Sequence, residues 1–260
     1  MHNPDQSRRF PMPRIHRLIA SVAVVAGLGV AGSSLLAQNQ AVRDQIGGIA
    51  NAQGSDVEGG YTQLFNGKDF TGWRYGITKG KDGKEGENKA GKGYQIREGG
   101  ILYSTKSDGG NLYTAKEYGD FSFRFEFKLT ANANNGIGIR APLTGDSAYQ
   151  GMEIQVLDDS GSAYTKLRPE QYHGSVYDVF AAKRGSQKPV GEWNTEEIHV
   201  QGTKVKVTVN GQVITDVDLA TVTDEKVLKK HPGLKNAKGH IGFLGHGAEV
   251  EFRNIRIKEL

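Results

Sequence analysis

From Phe121 to Leu129 the chain alternates without a break. Phe121, Phe123, Phe125, Phe127 and Leu129 have one parity; Ser122, Arg124, Glu126 and Lys128 have the other. Successive side chains of a strand point to opposite faces, so this segment predicts a strand with one buried face and one chemically loaded face. Two later segments repeat the pattern. Ile137 and Ile139 leave Arg140 opposite them, beside Gly136 and Gly138, which leave open space above a sheet. Met152, Ile154 and Val156 leave Glu153 and Gln155 opposite. With the three strands as neighbours, Arg124, Glu126, Arg140, Glu153 and Gln155 form one polar patch on a rigid platform, suited to a polyhydroxylated ligand. Periodicity alone fits an ordinary solvated outer face equally well.

Extended segments recur along the rest of the chain: Tyr94 to Ile96, Ile101 to Ser104, Glu197 to Gln201, Lys204 to Val209, Gln212 to Val217, His240 to Leu244 and Ala248 to Lys258. Asn210-Gly211 between valine-rich runs is a hairpin signal, because a type I′ turn needs positive φ at both central positions. Val250 and Phe252 differ in parity from Ile255 and Ile257, which predicts a β-bulge near Arg253-Asn254. Helical pattern is confined to Leu219 to Lys230. Many antiparallel strands with no fixed repeat predict an all-β domain, an antiparallel β-sandwich or jelly roll, and count against a propeller.

The domain begins near Tyr61. Before it, Arg8, Arg9, Arg14 and Arg17 precede an apolar run from Leu18 to Val30, and small residues from Ser33 lead to a cut after Ala37. Residues 1–37 therefore read as a signal peptide, with a retained membrane anchor as the alternative, and 38–60 as a linker. Export to the periplasm or outside follows. The chain has no cysteine, which excludes disulfides and thiolate metal sites. Its net charge of +4 belongs mostly to the leader: four of the 33 basic and one of the 29 acidic residues lie in 1–37, leaving +1. No basic cluster interleaved with aromatics suggests a nucleic-acid partner.

Glycosidases usually place two carboxylates across the scissile bond, and some jelly-roll glucanases carry Glu-x-Asp-x-Glu on one strand. Here the corresponding series is Glu153, Gln155, Leu157, with one carboxylate. Asp158 and Asp159 follow, as substrate ligands or as strand terminators. His246 lies between Gly245 and Gly247, where the backbone permits close approach. His173 lies in a loop with Tyr172 and Gly174. Trp193 could stack on a sugar at a sheet rim or pack in the core; Trp73 is assigned to the core. No His-Glu-x-x-His, nucleophile-elbow or phosphate-loop pattern occurs.

Five ordered blocks carry a resemblance: Leu64 to Trp73, Glu117 to Phe121, Gly151 to Asp158, Gly191 to Thr195, and Gly239 to Gly247 leading to Val250 through Ile257. Across 61–260 they resemble the 3-keto-disaccharide hydrolase domain family. The resemblance implies an exported, concanavalin A-like jelly roll acting on an oligosaccharide or glycoside. The insertion from Ile77 to Gly93 is where a rim loop is expected to differ. The implied chemistry is proton abstraction next to a sugar ketone, elimination and hydration. Glu153 and His246 then share the roles of base and acid, and Arg140 donates to an oxyanion or substrate oxygen. Arg124, Glu126, Gln155, Asp158, Trp193 and His173 shape the sugar site. No cofactor is expected, with a divalent cation such as calcium left open. Two rival readings are a non-catalytic, lectin-like carbohydrate-binding module and a cell-surface adhesion domain.

Overall fold

Period-two runs punctuated by glycine, asparagine and proline build strands in the computed structural model, which describes residues 59–79, 85–87, 93–107 and 110–260. In chain order these are β1 (Thr62–Gln63), β2 (Trp73–Tyr75), β3 (Ile77–Lys79), β4 (Glu85–Glu87), β5 (Tyr94–Arg97), β6 (Ile101–Ser104), β7 (Asn111–Thr114), β8 (Phe121–Leu129), β9 (Asn134–Ala141), β10 (Met152–Leu157), β11 (Trp193–Gln201), β12 (Lys204–Val209), β13 (Gln212–Asp218), β14 (His240–Gly245) and β15 (Val250–Glu259). The expected leader and all but the last two residues of the expected linker lie outside the described residues. So does most of the Ile77 to Gly93 insertion, of which β3 and β4 pair with each other.

Two antiparallel sheets form a β-sandwich. The larger runs β13-β12-β11-β8-β15-β6-β5, with β1 also on β15; the smaller runs β10-β9-β14-β7-β2. Between them lies one core, in which the β8 phenylalanines meet Ile137, Ile139, Met152 and Phe243 from the smaller sheet. Phe243 of the smaller sheet and Phe252 of the larger pack at a tilt with centroids 4.5 Å apart. Trp73 joins this core, and its indole N–H is satisfied by the Leu64 carbonyl at 3.1 Å.

The topology corrects the single-patch expectation. Strand β8 belongs to the larger sheet and β9 and β10 to the smaller, so the three apolar rows face one core from opposite sides. Arg124 and Glu126 therefore lie on the opposite outer face of the sandwich from Glu153 and Gln155. Alternation held in β8, in β10 and in β9 as far as Ile139, and breaks at Arg140, whose φ is 47°; period two leaves open which sheet a strand joins. The bulge is present: β15 shifts register against β8 between Arg253 and Arg256, and Asn254 has φ 52°. The hairpin is present too, with φ 49° at Asn210 and 80° at Gly211. The helical stretch is broken into a 3-10 turn at Leu219–Thr221 and a six-residue helix, Glu225–Lys230. A further short helix, α1 (Ser147–Gln150), starts at an Asp146 cap; Glu225–Lys230 is α2.

Candidate active site

Four strands of the smaller sheet place a lateral row of residues on its outer face. Glu153 on β10 sits opposite Gly138, Gly138 opposite Gly242, and Gly242 opposite Tyr113 on β7. The glycines matter because side chains occupy the space a Cβ would take. A Cβ on Gly136 would stand 1.9 Å from Glu153 Oε1, one on Gly242 2.4 Å from the Tyr113 ring, and one on Gly138 3.2 Å from Leu244. The space expected above Gly136 and Gly138 is thus filled by a carboxylate and a leucine.

His246 follows the end of β14 and reaches back over this row. Its Nε2 lies 3.4 Å from Glu153 Oε1. The two differ in exposure: the Glu153 side chain is 5% exposed and that of His246 45%. A half-exposed imidazole therefore rests on a buried carboxylate. Its hydrogen bond to Glu153 raises the His246 pKa above the ordinary histidine value, against the opposing effect of burial, and the Asp146 carboxylate adds to the rise.

Segments flanking the face hold the pair in place. Tyr177 N–H donates to the Glu153 carbonyl at 2.9 Å, so the stretch after Pro169 runs along the free edge of β10. On the other flank, Tyr113 shares a buried hydrogen bond with Ser147 of α1 and accepts one from Asn111 Nδ2 at 3.0 Å. Burial pushes the Tyr113 pKa up, so at neutral pH the hydroxyl keeps its proton.

Of the residues singled out from sequence, Glu153, His246 and Gln155 come together here. The others are placed elsewhere. Arg140 is buried, with φ 47°, and spends its guanidinium on the Gly119, Gly202 and Asn236 carbonyls and on Asp120 at 2.8 to 3.2 Å. It clamps the lead into β8 to the β11–β12 turn. Asp158 closes a turn, accepting from Asn132 N–H at 2.8 Å and from Ser160 N–H at 3.0 Å. His173 lies inside the sandwich, stacked on Phe127 at 5.0 Å, with Nε2 3.4 Å from buried Glu196. Trp193 is on the outer face of the larger sheet, with Arg253 4.0 Å and Lys128 4.9 Å from its ring centre.

Sequence reading missed Tyr113, Ser147 and Asp146. Strand β7 was not among the extended segments read from the sequence, although β5 and β6 have the same length. Asp146 was findable as a helix cap, since it accepts from Ala148 N–H at 3.0 Å. Among the described residues no group of three or more histidines and carboxylates is placed to hold a metal ion.

A family described as the 3-keto-alpha-glucoside-1,2-lyase-like domain matches residues 60–258. A protein of Bacteroides thetaiotaomicron named 3-keto-disaccharide hydrolase is 28% identical over 237 residues, covering 77% of this chain and 79% of that protein. The crystal structure of a candidate glycosyl hydrolase from Parabacteroides distasonis superposes with a TM-score of 0.63 at 27% identity, covering 77% of this chain and 94% of the other. A second structure from that organism, at 24% identity and TM-score 0.60, covers 77% of this chain and 99% of its own, and shows the shared fold.

Proposed function

This chain belongs to the 3-keto-alpha-glucoside-1,2-lyase-like domain family, and on that premise we propose that it is an exported enzyme cleaving the glycosidic bond of 3-keto-glycosides. The observation that carries the reading is the half-exposed His246 imidazole held on the buried Glu153 carboxylate. A ketone at carbon 3 of a sugar acidifies the hydrogen on carbon 2. A base takes that proton, and the electron pair forms an enolate. Collapse of the enolate breaks the bond from carbon 1 to the glycosidic oxygen, which leaves with a proton as an alcohol. Water then adds its hydroxyl to carbon 1 and its other proton to carbon 2, so one water is consumed in all.

Such a route needs a positioned proton-transfer group rather than two carboxylates across the scissile bond. With Nε2–H held by Glu153, His246 keeps Nδ1 for the substrate. The raised pKa makes the neutral imidazole a stronger base toward carbon 2 and its charged form a donor to the departing oxygen. Export is supported by the basic and apolar pattern of residues 1–37, and periplasmic or extracellular action on an oligosaccharide or glycoside follows from it.

Incubation of the purified protein with 3-keto-disaccharides, followed by detection of free sugar, tests the reading. Release that disappears in His246→Ala supports it. No release above the uncatalysed rate across several keto-substrates removes it. Binding of unmodified glycans without turnover, retained in Glu153→Gln and His246→Ala, would instead identify a carbohydrate-binding module.

A further inference from the structure

Two amide oxygens on the same sheet face as Glu153 lack a donor. Gln155 follows Glu153 by two residues on β10. Asn134 opens β9 opposite Leu157, one step diagonal to Gln155 across the ladder. Alternation puts both side chains on the outer face, and diagonal neighbours of an antiparallel pair lie roughly 7–8 Å apart. Gln155 Oε1 and Asn134 Oδ1 are buried and accept no hydrogen bond among the described residues. Gln155 is 4% exposed, and its amide is held by one contact, Nε2 to the Gln171 carbonyl at 3.4 Å, at the long end of hydrogen-bond range.

Buried acceptors left unpaired in a folded protein mark places where something else supplies the proton. Here the supplier must donate twice, and it must tolerate the neighbouring Glu153 carboxylate, so an anion is disfavoured. A neutral ring with neighbouring hydroxyls meets both conditions. We propose that Gln155 and Asn134 form a hydroxyl-reading subsite, placed beside the Glu153–His246 pair to hold the second sugar of a disaccharide. The inference rests on the keto-glycoside reading of that pair. It makes the protein selective for leaving groups that are themselves sugars, because a leaving group without hydroxyls leaves both oxygens unpaired.

The test compares two substrates that share the keto ring: a 3-keto-disaccharide and a 3-keto-glucoside of 4-nitrophenol. In Asn134→Ala and in the near-isosteric Gln155→Met, kcat/KM for the disaccharide should fall about 10-fold each, the scale of one hydrogen bond, mainly through KM. For the nitrophenyl substrate the fall should be several-fold smaller in each variant, so that the ratio of the two kcat/KM values moves against the disaccharide. Equal losses on both substrates, or none on the disaccharide, overturn the subsite. Calorimetric titration with the unmodified disaccharide separates this inference from the catalytic one. Binding by the parent chain that weakens in both variants supports the subsite even without turnover. Equal binding by parent and variants, or none, overturns it. Asn134 is half-buried at a strand end, so its variant stays informative should Gln155→Met fail to fold.

Discussion

On the outer face of the larger sheet, charged groups are numerous and mostly partnered, Arg256 Nε being an exception among the described residues. Arg124 pairs with Glu197 at 2.9 Å, Arg253 with Glu126 at 2.7 Å, Arg97 with Glu251 at 2.8 Å, and Lys128 also reaches Glu251. The aromatic rings there are capped by cations: Arg124 over Tyr61, Arg97 over Tyr103 and Arg253 over Trp193. On the outer face of the smaller sheet the polar groups are more deeply buried, and they include the long Glu153–His246 contact and two amide oxygens that have no donor among the described residues. Polar content alone therefore does not pick out a site. A face that satisfies its own charges has little left to offer a ligand, whereas unsatisfied groups held at a fixed position have chemistry in reserve.

The largest perturbation removes both faces together. Phe125 is 2% exposed and touches Phe123, Phe127, Phe243 and Phe252, so Phe125→Ala should lose about 3–5 kcal/mol in a denaturant melt. Next, Glu153→Gln should preserve folding while turnover on a keto-disaccharide falls by roughly 100-fold or more, the scale of an acid–base group. Unchanged turnover would erase the distinction between the faces. Gly136→Ala sharpens it, because the new methyl must displace the Glu153 carboxylate. Stability should fall by about 1–3 kcal/mol and turnover should move toward that of Glu153→Gln.

On the other face, Glu197→Gln removes the partner of Arg124 and should change stability by less than about 1 kcal/mol, with turnover within about twofold. A large loss of activity there would transfer the site to the larger sheet. The smallest effect is in pH. His246 should titrate above its ordinary value of about 6.5 by NMR, and Glu153→Gln should bring it down. Since the folded pKa is the raised one, the pair's stabilisation is complete below about pH 6.5 and fades as pH climbs through the folded value. The melting difference between parent and Glu153→Gln should therefore be larger at low pH than at high pH, and modest because His246 is half-exposed.

Period-two alternation made most long strands legible, along with the Asn210-Gly211 hairpin and the Arg253-Asn254 bulge, because each is set by steric preferences a few residues long. Glu153 and Gln155 could be assigned to one face for the same reason, and flanking glycines drew attention to His246. Strand β7 was not read from the sequence, although β5 and β6 are no longer than it, and with it went Tyr113.

The sequence by itself determined which side chains of the long strands β8 and β10 turn away from the core and that the chain builds an all-β sandwich. Only the tertiary structure decided which faces are one face. Parity is a property of a single strand, whereas sheet membership depends on long-range pairing, and here it put Arg124 and Glu126 on the far side of the sandwich. It also drew His173 into the core beside Phe127 and Glu196, and turned Arg140 into a clamp on three carbonyls. Finally, it brought His246 back over Glu153, 93 residues earlier in the chain. A contact at that separation is set by how the strands pack, which no local pattern encodes.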